Sequence, residues 1–379
     1  MRKEKDSFRK ILRILARLLY IPMDTLNTNL APTKKHFKIL DGLRGVAALA
    51  IVVFHFAEWI YADYTENFII HGFLAVDFFF CLSGFVVAYA YDNRLEEMGI
   101  LGFFKRRLIR LHPLVILGTV LGLIAFLFDP FSHAASLYDF GRTALIFICS
   151  LFLIPLPVME ERSLNNFGLN APSWSLFWEY IANIAYVFIF YKLNRYILSI
   201  LAIIAAIGLI YIAYHSGNLL GGWNGDTFWH GGVRIAFSFL AGLLIYRNNW
   251  ILKNNIGFIG LSLLLLFALF IPHFGFNWLV ELVIVLFYFP LLVSLGAGST
   301  LSPQVEKACE FSGSISYPLY MTHYAGIWIF GNYFLTTNPD PIELTWVIVL
   351  GTLFMALIAY LVLVFYDIPL RKYLTKRLR

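Results

Sequence analysis

The chain has few charged residues. Only 14% of its 379 positions are Asp, Glu, Lys or Arg, whereas 60% are hydrophobic. An ordinary soluble domain carries about a quarter charged residues, so this composition excludes a soluble globular protein and indicates a polytopic membrane protein. We therefore predict an all-α fold in which transmembrane helices form a bundle.

Several other features are scarce or missing. The three cysteines, Cys81, Cys149 and Cys309, are odd in number and lie in or beside apolar runs, so we expect no disulfide framework. No repeat, low-complexity tract or soluble domain interrupts the apolar runs, and no metal site is expected. The net charge of +6 is not gathered into a basic and aromatic tract outside the membrane, so nucleic acid is not an expected partner. The first 22 residues lack a secretory cleavage pattern, so we expect them to be retained.

Apolar runs follow one another along the chain. Eleven of them approach the roughly 20 residues that a bilayer requires. They lie at about 39–60, 72–91, 111–128, 143–158, 175–191, 197–214, 231–246, 257–272, 277–297, 314–334 and 344–366.

The positions of Lys and Arg indicate how many of these runs cross the membrane, because basic residues near helix ends are retained in the cytoplasm. Ten basic residues precede residue 39 and five follow residue 367. With ten spans, both termini are cytoplasmic and only Arg142, Arg162 and Arg234 lie outside. We therefore predict about ten spans in the cell (inner, cytoplasmic) membrane, with one run between residues 113 and 158 failing to cross. The sequence leaves open which run it is; we interpret 143–158, with only sixteen residues, as re-entrant or short.

Three segments follow from this topology. Residues 1–36 form a cytoplasmic extension, 37–372 the transmembrane domain, and 373–379 a basic cytoplasmic tail. In the extension, basic and apolar residues separate onto opposite sides of a helical projection, which favours an interfacial amphipathic helix over a packed or frayed tail.

The stretch LDGLRGVAALAIVVFHF, 40–56, carries an arginine and a histidine in an apolar helix. His55 follows Arg44 by eleven residues, which turn about 1100° and rise about 16 Å, so both side chains share one face. An ionisable group deep in a membrane is a candidate functional residue. We therefore take His55 as the first candidate for acid–base chemistry.

Two carboxyl groups are predicted at the depth of His55. Asp77 lies about six residues below the outer end of its run, and Glu179 lies about two turns below the outer surface. A buried acid costs about 3 kcal/mol at a helix centre unless it is paired. We expect His55 to pair with Asp77; the alternative is that Asp77 only makes hydrogen bonds to neighbouring helices.

A basic segment, FFKRRLIRLHPL, begins the third predicted span. Arg106, Arg107 and Arg110 have the spacing of one helical face, and guanidinium groups suit bidentate binding of phosphate. The other interpretation is that they only fix the topology. Elsewhere, Arg234 could neutralise an acidic partner or ligand, and His323 alone is more often a packing residue.

Seven stretches in this order resemble acyltransferase family 3, a family of membrane-bound acyltransferases. They are LDGLRG with Arg44 and His55, GFLAVDFFFCLSGF, FFKRRLIRLHP, SWSLFWEY, FSFLAGLLIYR, SYPLYMTHY and DIPLRK. The resemblance covers 37–372 and implies transfer of acetyl or other short acyl groups from coenzyme A to hydroxyls of glycans or other acceptors. His112 and Asp367 depart from the family pattern, which has an aromatic residue and a glutamate there, and we expect no esterase-like domain after the bundle.

The resemblance also implies roles for residues. Acyl-CoA, acetyl-CoA in the simplest case, would be a co-substrate and no cofactor would be bound permanently. Its phosphates would lie on Arg44, Arg106, Arg107 and Arg110. His55 would be general base or acyl carrier, with Glu179 or Asp77 orienting it. The contacts to substrate would come from Trp174, Ser175, Tyr317 and His323.

Two other classes of function remain open. A transporter or flippase of a polysaccharide precursor also needs ionisable groups near the midplane. A structural subunit of polysaccharide assembly would bind without turnover. The sequence leaves the acceptor, the acyl chain and the oligomeric state open; besides acyl-CoA and a glycan or other hydroxyl acceptor, the bilayer is the expected partner.

Overall fold

The computed structural model describes residues 37–377, so the predicted amphipathic helix within 1–36 lies outside the described residues. In this part of the chain all regular structure is helical, and β-pairing is limited to two isolated bridges. The helices are α1 (Lys38–Ile60), α2 (Ala75–Tyr91), α3 (Leu95–Leu127), α4 (Phe140–Leu151), α5 (Ser173–Phe188), α6 (Arg195–Ser216), α7 (Phe228–Arg247), α8 (Gly257–Leu269), α9 (Asn277–Val283), α10 (Phe289–Gly298), α11 (Pro303–Thr337), α12 (Pro341–Val362) and α13 (Ile368–Arg377). The all-α prediction is confirmed for the described residues.

Seven helical segments among the described residues are long and apolar enough to cross a membrane. They include α1, α3, α6 and α7 and two composite helices, α9–α10 and α12–α13, each joined by one π-helical segment. The chain is therefore a multi-pass membrane protein, in which helices satisfy the backbone internally. The predicted count of about ten spans and the cytoplasmic termini stay predictions.

Two apolar helices are short. The run predicted not to cross, 143–158, contains the end of α4, whose 12 residues rise about 18 Å against a hydrocarbon core of about 30 Å. The run 257–272, predicted to cross, contains α8, which has only 13 residues. Which of the two short helices crosses the membrane stays a prediction.

Glycines bring α1 against α11. A Cβ on Gly45 would lie 2.0 Å from the carbonyl oxygen of Ser312, and one on Gly313 would lie 2.8 Å from the backbone of Asp41. The hydroxyl of Ser312 donates to the carbonyl of Gly42 at 2.9 Å. Small residues permit such close approach of backbones in membranes, so α1 and α11 form a tightly packed pair.

A second pair of helices, α2 and α7, uses the same device. A Cβ on Gly84 would lie 2.0 Å from the carbonyl oxygen of Phe239, and one on Gly242 would lie 2.0 Å from that of Cys81. Each glycine therefore contacts the backbone of the other helix. These two pairs, together with α3, α5 and the connections that precede α2, α5 and α7, supply the side chains of the site.

Candidate active site

Two cavities lie toward opposite ends of α1. The arginine cavity has a volume of about 100 Å³ and includes Arg44 near the start of α1. The histidine cavity has a volume of about 250 Å³ and includes His55 near the end of α1. Val76 and Tyr320 line both cavities and therefore form the wall between them.

The arginine cavity collects polar groups from α1, α2, α3, α5 and α11. Arg107 donates to the Glu179 carboxylate at 2.6 Å, and the Ser83 hydroxyl donates to the same oxygen at 2.8 Å. Arg44 donates to the Ser316 hydroxyl at 2.9 Å and lies 3.2 Å from the Asp41 carboxylate. These contacts hold two arginines in fixed positions.

Unused donors remain in the arginine cavity. The Nε of Arg107 is buried and has no hydrogen-bond partner among the described residues. Arg110 lines the cavity, is exposed, and makes no hydrogen bond or ion pair with a described residue. Guanidinium groups with free N–H donors suit phosphate oxygens. The cavity therefore has the chemistry of an anion-binding site.

One of the residues predicted to bind acyl-CoA does not line this cavity. Arg106 is exposed on α3 and is not among the lining residues.

Two residues predicted to contact substrate do line the arginine cavity. Tyr317 donates to the carbonyl of Leu111 at 2.6 Å. Ser175 lines it too and donates to the carbonyl of Pro172 at 3.0 Å.

Tyr320 is held in the wall by a hydrogen bond. Its hydroxyl lies 2.8 Å from the Ser175 hydroxyl. Because Ser175 already donates to a carbonyl, Tyr320 is the donor in this bond. The aromatic ring therefore has a fixed place between the two cavities.

The histidine cavity contains a histidine–carboxylate pair. His55 Nδ1 and the Glu58 carboxylate are 2.5 Å apart and come from positions i and i+3 of α1, which share a helix face. An Nδ1–H that donates to the carboxylate leaves Nε2 as the unprotonated nitrogen, the form that acts as a base. Nε2 makes no hydrogen bond to a described residue and is free to meet a ligand in the cavity that His55 lines.

Aromatic rings hold the imidazole of His55. His323 stacks beside it with ring centroids 5.5 Å apart, and Tyr324 meets it edge-on at 4.8 Å. His323 Nδ1 donates to the carbonyl of Leu319 at 3.0 Å, and its buried Nε2 has no described partner. His323 thus contacts His55 but does not line the cavity.

Asp77 does not pair with His55, in contrast to our expectation. Its carboxylate receives two hydrogen bonds from Arg234, at 3.1 and 2.6 Å, and both side chains are buried. Arg234 also donates to the carbonyls of Phe73 and Gly221. Arg234 and Asp77 are 157 positions apart in the sequence. The predicted depth of Asp77 in the membrane could not show that Arg234 would be its partner. The predicted catalytic role of Asp77 stays a prediction.

Glu179 also lies apart from His55. It lines the arginine cavity and pairs with Arg107, whereas His55 lines the histidine cavity and pairs with Glu58. Glu58 was not among the predicted site residues, although its spacing of three residues from His55 is a visible signal. Tyr320 and Arg162 were not proposed for the site either. Trp174 lines the histidine cavity, as a residue predicted to contact substrate.

Among residues 37–377, no group of three or more His, Cys, Asp or Glu side chains could hold a metal ion. The described side chains supply an arginine-lined cavity, a histidine–carboxylate pair and a wall of Val76 and Tyr320 between the two cavities. This combination fits transfer of a group between two bound molecules.

The apolar helices and the two cavities are those of a membrane enzyme that transfers a group. The model of a family described as "Acyltransferase domain" matches residues 37–364, so the chain belongs to the acyltransferase 3 family. The predicted family is confirmed.

Individual relatives match over different lengths. "Protein 2 in picA locus" of Rhizobium radiobacter is 38% identical over 162 residues, 40% of this chain and 81% of that protein. The acyltransferase MdmB of Streptomyces mycarofaciens is 31% identical over 41% of this chain, and the peptidoglycan O-acetyltransferase OatA of Listeria monocytogenes is 24% identical over 90% of it. The matches span 39% of MdmB and 56% of OatA. No solved structure matches the chain.

Proposed function

We propose that the protein transfers an acetyl or other short acyl group from acyl-CoA, bound at the arginine cavity, to a hydroxyl of a glycan acceptor, bound at the histidine cavity. The observation that carries the proposal is the His55–Glu58 pair, which faces the larger cavity with Nε2 free. The names of two relatives, an acyltransferase and a peptidoglycan O-acetyltransferase, support the reaction and the class of acceptor.

The arginine cavity suits the donor. Acyl-CoA carries phosphates and a thioester at opposite ends of a long arm. Arg110 offers free donors to phosphate oxygens, and Arg44 and Arg107 line the same cavity. The thioester would approach the wall at Tyr320 and Val76, beyond which lies His55.

The histidine cavity suits the chemical step. His55 Nε2 removes the proton of the acceptor hydroxyl as the oxygen attacks the thioester carbonyl. The tetrahedral intermediate collapses, the carbon–sulfur bond breaks, and the thiolate takes up the proton from His55. Glu58 balances the charge of the imidazolium while the proton is held there.

The topology follows from the basic residues. With ten spans and both termini in the cytoplasm, Arg44 lies toward the cytoplasmic leaflet and His55 toward the outer one. The donor then binds from the cytoplasm and the acceptor from outside, in the cell membrane. Arg44 and His55 lie at opposite ends of one helix, which supports this arrangement.

The test is transfer from radiolabelled acetyl-CoA by the purified full chain in lipid nanodiscs. Wild-type protein should consume acetyl-CoA in the presence of a cell-wall glycan fraction. His55→Ala should lower the rate by about 10²- to 10⁴-fold, the usual contribution of a general base. His215→Ala is the matched control, because His215 is exposed on α6 and lies outside both cavities.

A transporter of a polysaccharide precursor is the second candidate, because the two cavities lie at opposite ends of one helix, separated by a wall. A transporter would move a glycan across vesicles without consuming acetyl-CoA. Full activity of His55→Ala in the transfer assay, or transport with no acetyl transfer at all, would contradict the acyltransferase proposal.

A further inference from the structure

Arg162 is a buried cation that forms no ion pair with a described residue, although the carboxylates of Glu161 and Asp129 are near enough to favour its charge. It lies between α4 and α5, is only 4% exposed, and lines the histidine cavity. Its guanidinium lies between two aromatic rings, 4.9 Å from the centroid of Phe126 and 4.8 Å from that of Trp328. Burial lowers the pKa of Arg162 to about 10, so the side chain remains charged at neutral pH.

The donors of Arg162 are only partly used. Nη1 donates to the carbonyl of Gly168 at 2.5 Å, and no carboxylate of a described residue forms an ion pair with it. The remaining N–H groups have no acceptor, and none of these nitrogens is among the fully enclosed unpaired atoms of the described residues. They are therefore accessible from the cavity.

Arg234, the other arginine that lines the histidine cavity, differs in this respect. It donates twice to Asp77 and also to the carbonyls of Phe73, Leu220 and Gly221. Its charge is neutralised and its donors are used. A buried charge is costly unless it is paired, so an anion bound in the histidine cavity would stabilise the charge of Arg162.

We propose that Arg162 binds an anionic group of the acceptor, a carboxylate or a phosphate. A guanidinium with free N–H donors holds such groups in a planar, bidentate contact. This inference rests on the proposed function, since it assigns the anion to the acceptor. It narrows the acceptor to an acidic glycan.

The position of Arg162 relative to His55 agrees with an acceptor whose anionic group and reacting hydroxyl lie some distance apart. Trp328, which stacks on Arg162, meets Tyr324 at 5.3 Å between ring centroids, and Tyr324 meets His55 at 4.8 Å. Two aromatic side chains thus separate the guanidinium from the imidazole. The anionic group therefore lies away from the hydroxyl that reacts, and Arg162 acts as a binding residue.

The test measures binding without turnover, so that it does not depend on the donor. Three probes differ only in charge or in its chemistry: methyl glucoside, methyl glucuronide and methyl glucoside 6-phosphate. Binding to the purified chain in nanodiscs is followed by tryptophan fluorescence, because Trp328 contacts Arg162. Wild-type protein should bind at least one of the anionic probes about tenfold more tightly than the neutral one, which matches one charge-assisted hydrogen bond.

Variants show which residue causes the preference for anionic probes. Arg162→Gln should bind all three probes equally. Arg142→Gln should keep the preference, because Arg142 is exposed and stacks on Tyr138 outside the cavity. His55→Ala should also keep it while losing acetyl transfer, which separates failure of this inference from failure of the proposed function. The glucuronide and phosphate probes distinguish a carboxylate from a phosphate as the natural group.

A second measurement uses the wild-type chain alone, in case Arg162→Gln does not fold. Phenylglyoxal modifies accessible arginines, and peptide mass spectrometry reads the modification at Arg162. The preferred anionic probe should protect Arg162 severalfold better than methyl glucoside. Equal protection by the three probes, or a preference for anions that survives Arg162→Gln, would overturn the proposal and leave Arg162 as a residue that only holds Gly168.

Discussion

The two cavities differ in how their charges are arranged. In the arginine cavity, two of three arginines form ion pairs with acidic side chains and the third is exposed and forms no ion pair with a described residue. In the histidine cavity, one arginine is fully neutralised, another is unpaired, and the only lining carboxylate is held by a histidine. The first arrangement offers free guanidinium donors, whereas the second combines a histidine–carboxylate pair with aromatic side chains. In the proposed function, binding of the donor and proton transfer therefore take place at different ends of one helix.

The two cavities differ most at Arg234, whose charge is neutralised by Asp77. We expect the largest effect of a substitution there. Asp77→Ala leaves the buried charge of Arg234 unpaired and should lower the free energy of unfolding by about 3–5 kcal/mol. Thermal unfolding in nanodiscs measures it. The double variant Asp77→Ala/Arg234→Leu should recover much of the loss, because no unpaired charge remains. An Asp77→Ala protein as stable as wild type would mean that the ion pair between Asp77 and Arg234 does not stabilise the fold.

The second effect tests whether the base depends on its carboxylate. Glu58→Gln cannot balance the imidazolium of His55 and should lower kcat by roughly 10²-fold, with KM for both substrates little changed. Steady-state kinetics with labelled acetyl-CoA measures it. Glu66→Gln, at an exposed acid in the short helix Tyr64–Glu66, is the control. Unchanged kcat in Glu58→Gln would assign the pair to packing alone.

A smaller effect distinguishes the arginines of α3. Arg110 lines the arginine cavity and Arg106 does not, although both are exposed. Arg110→Gln should raise KM for acetyl-CoA about tenfold, the value of one charge-assisted hydrogen bond, and should leave KM for the acceptor unchanged. Arg106→Gln should change neither. Equal effects of the two variants would restore Arg106 as a donor-binding residue, and no effect of either would mean that both only set topology.

The smallest expected effect concerns the wall shared by the cavities. Tyr320→Ala removes the ring that separates them and should raise the rate with butyryl-CoA relative to acetyl-CoA by roughly fivefold, in the range that a few methylenes contribute to selectivity. Tyr320→Phe keeps the ring and should leave the ratio unchanged. Competition between the two donors in one assay measures the ratio. An unchanged ratio in Tyr320→Ala would place the acyl group elsewhere.

Much of the fold was predictable because the bilayer demands apolar helices, and the composition shows them directly. The family was predictable from seven short motifs in order, and the match over residues 37–364 agrees. The number of spans was harder, since α4 and α8 are apolar but short and the sequence has no sharp limit between a short span and a re-entrant helix. Hydropathy reports solvent preference, not the path of the chain.

Several residues of the site could be predicted from the sequence, but the partners of their side chains could not. Arg44, Arg107 and Glu179 do share a cavity, but the predicted proximity of Glu179 to His55 rested on depth alone. Depth gives one coordinate, and a side chain at the right depth can face any neighbouring helix. The partner of His55, Glu58, was local and could have been found from its i, i+3 spacing.

The helix that carries both Arg44 and His55 has a consequence for the length of the donor. Both side chains lie on α1, so the helix itself sets the rise of about 16 Å between them. In the proposed reaction, a thioester reaches His55 only if its arm spans that distance from the phosphates. Under that proposal, α1 selects donors by the length of their arm, and acyl esters of short thiols bound at the arginines do not reach His55.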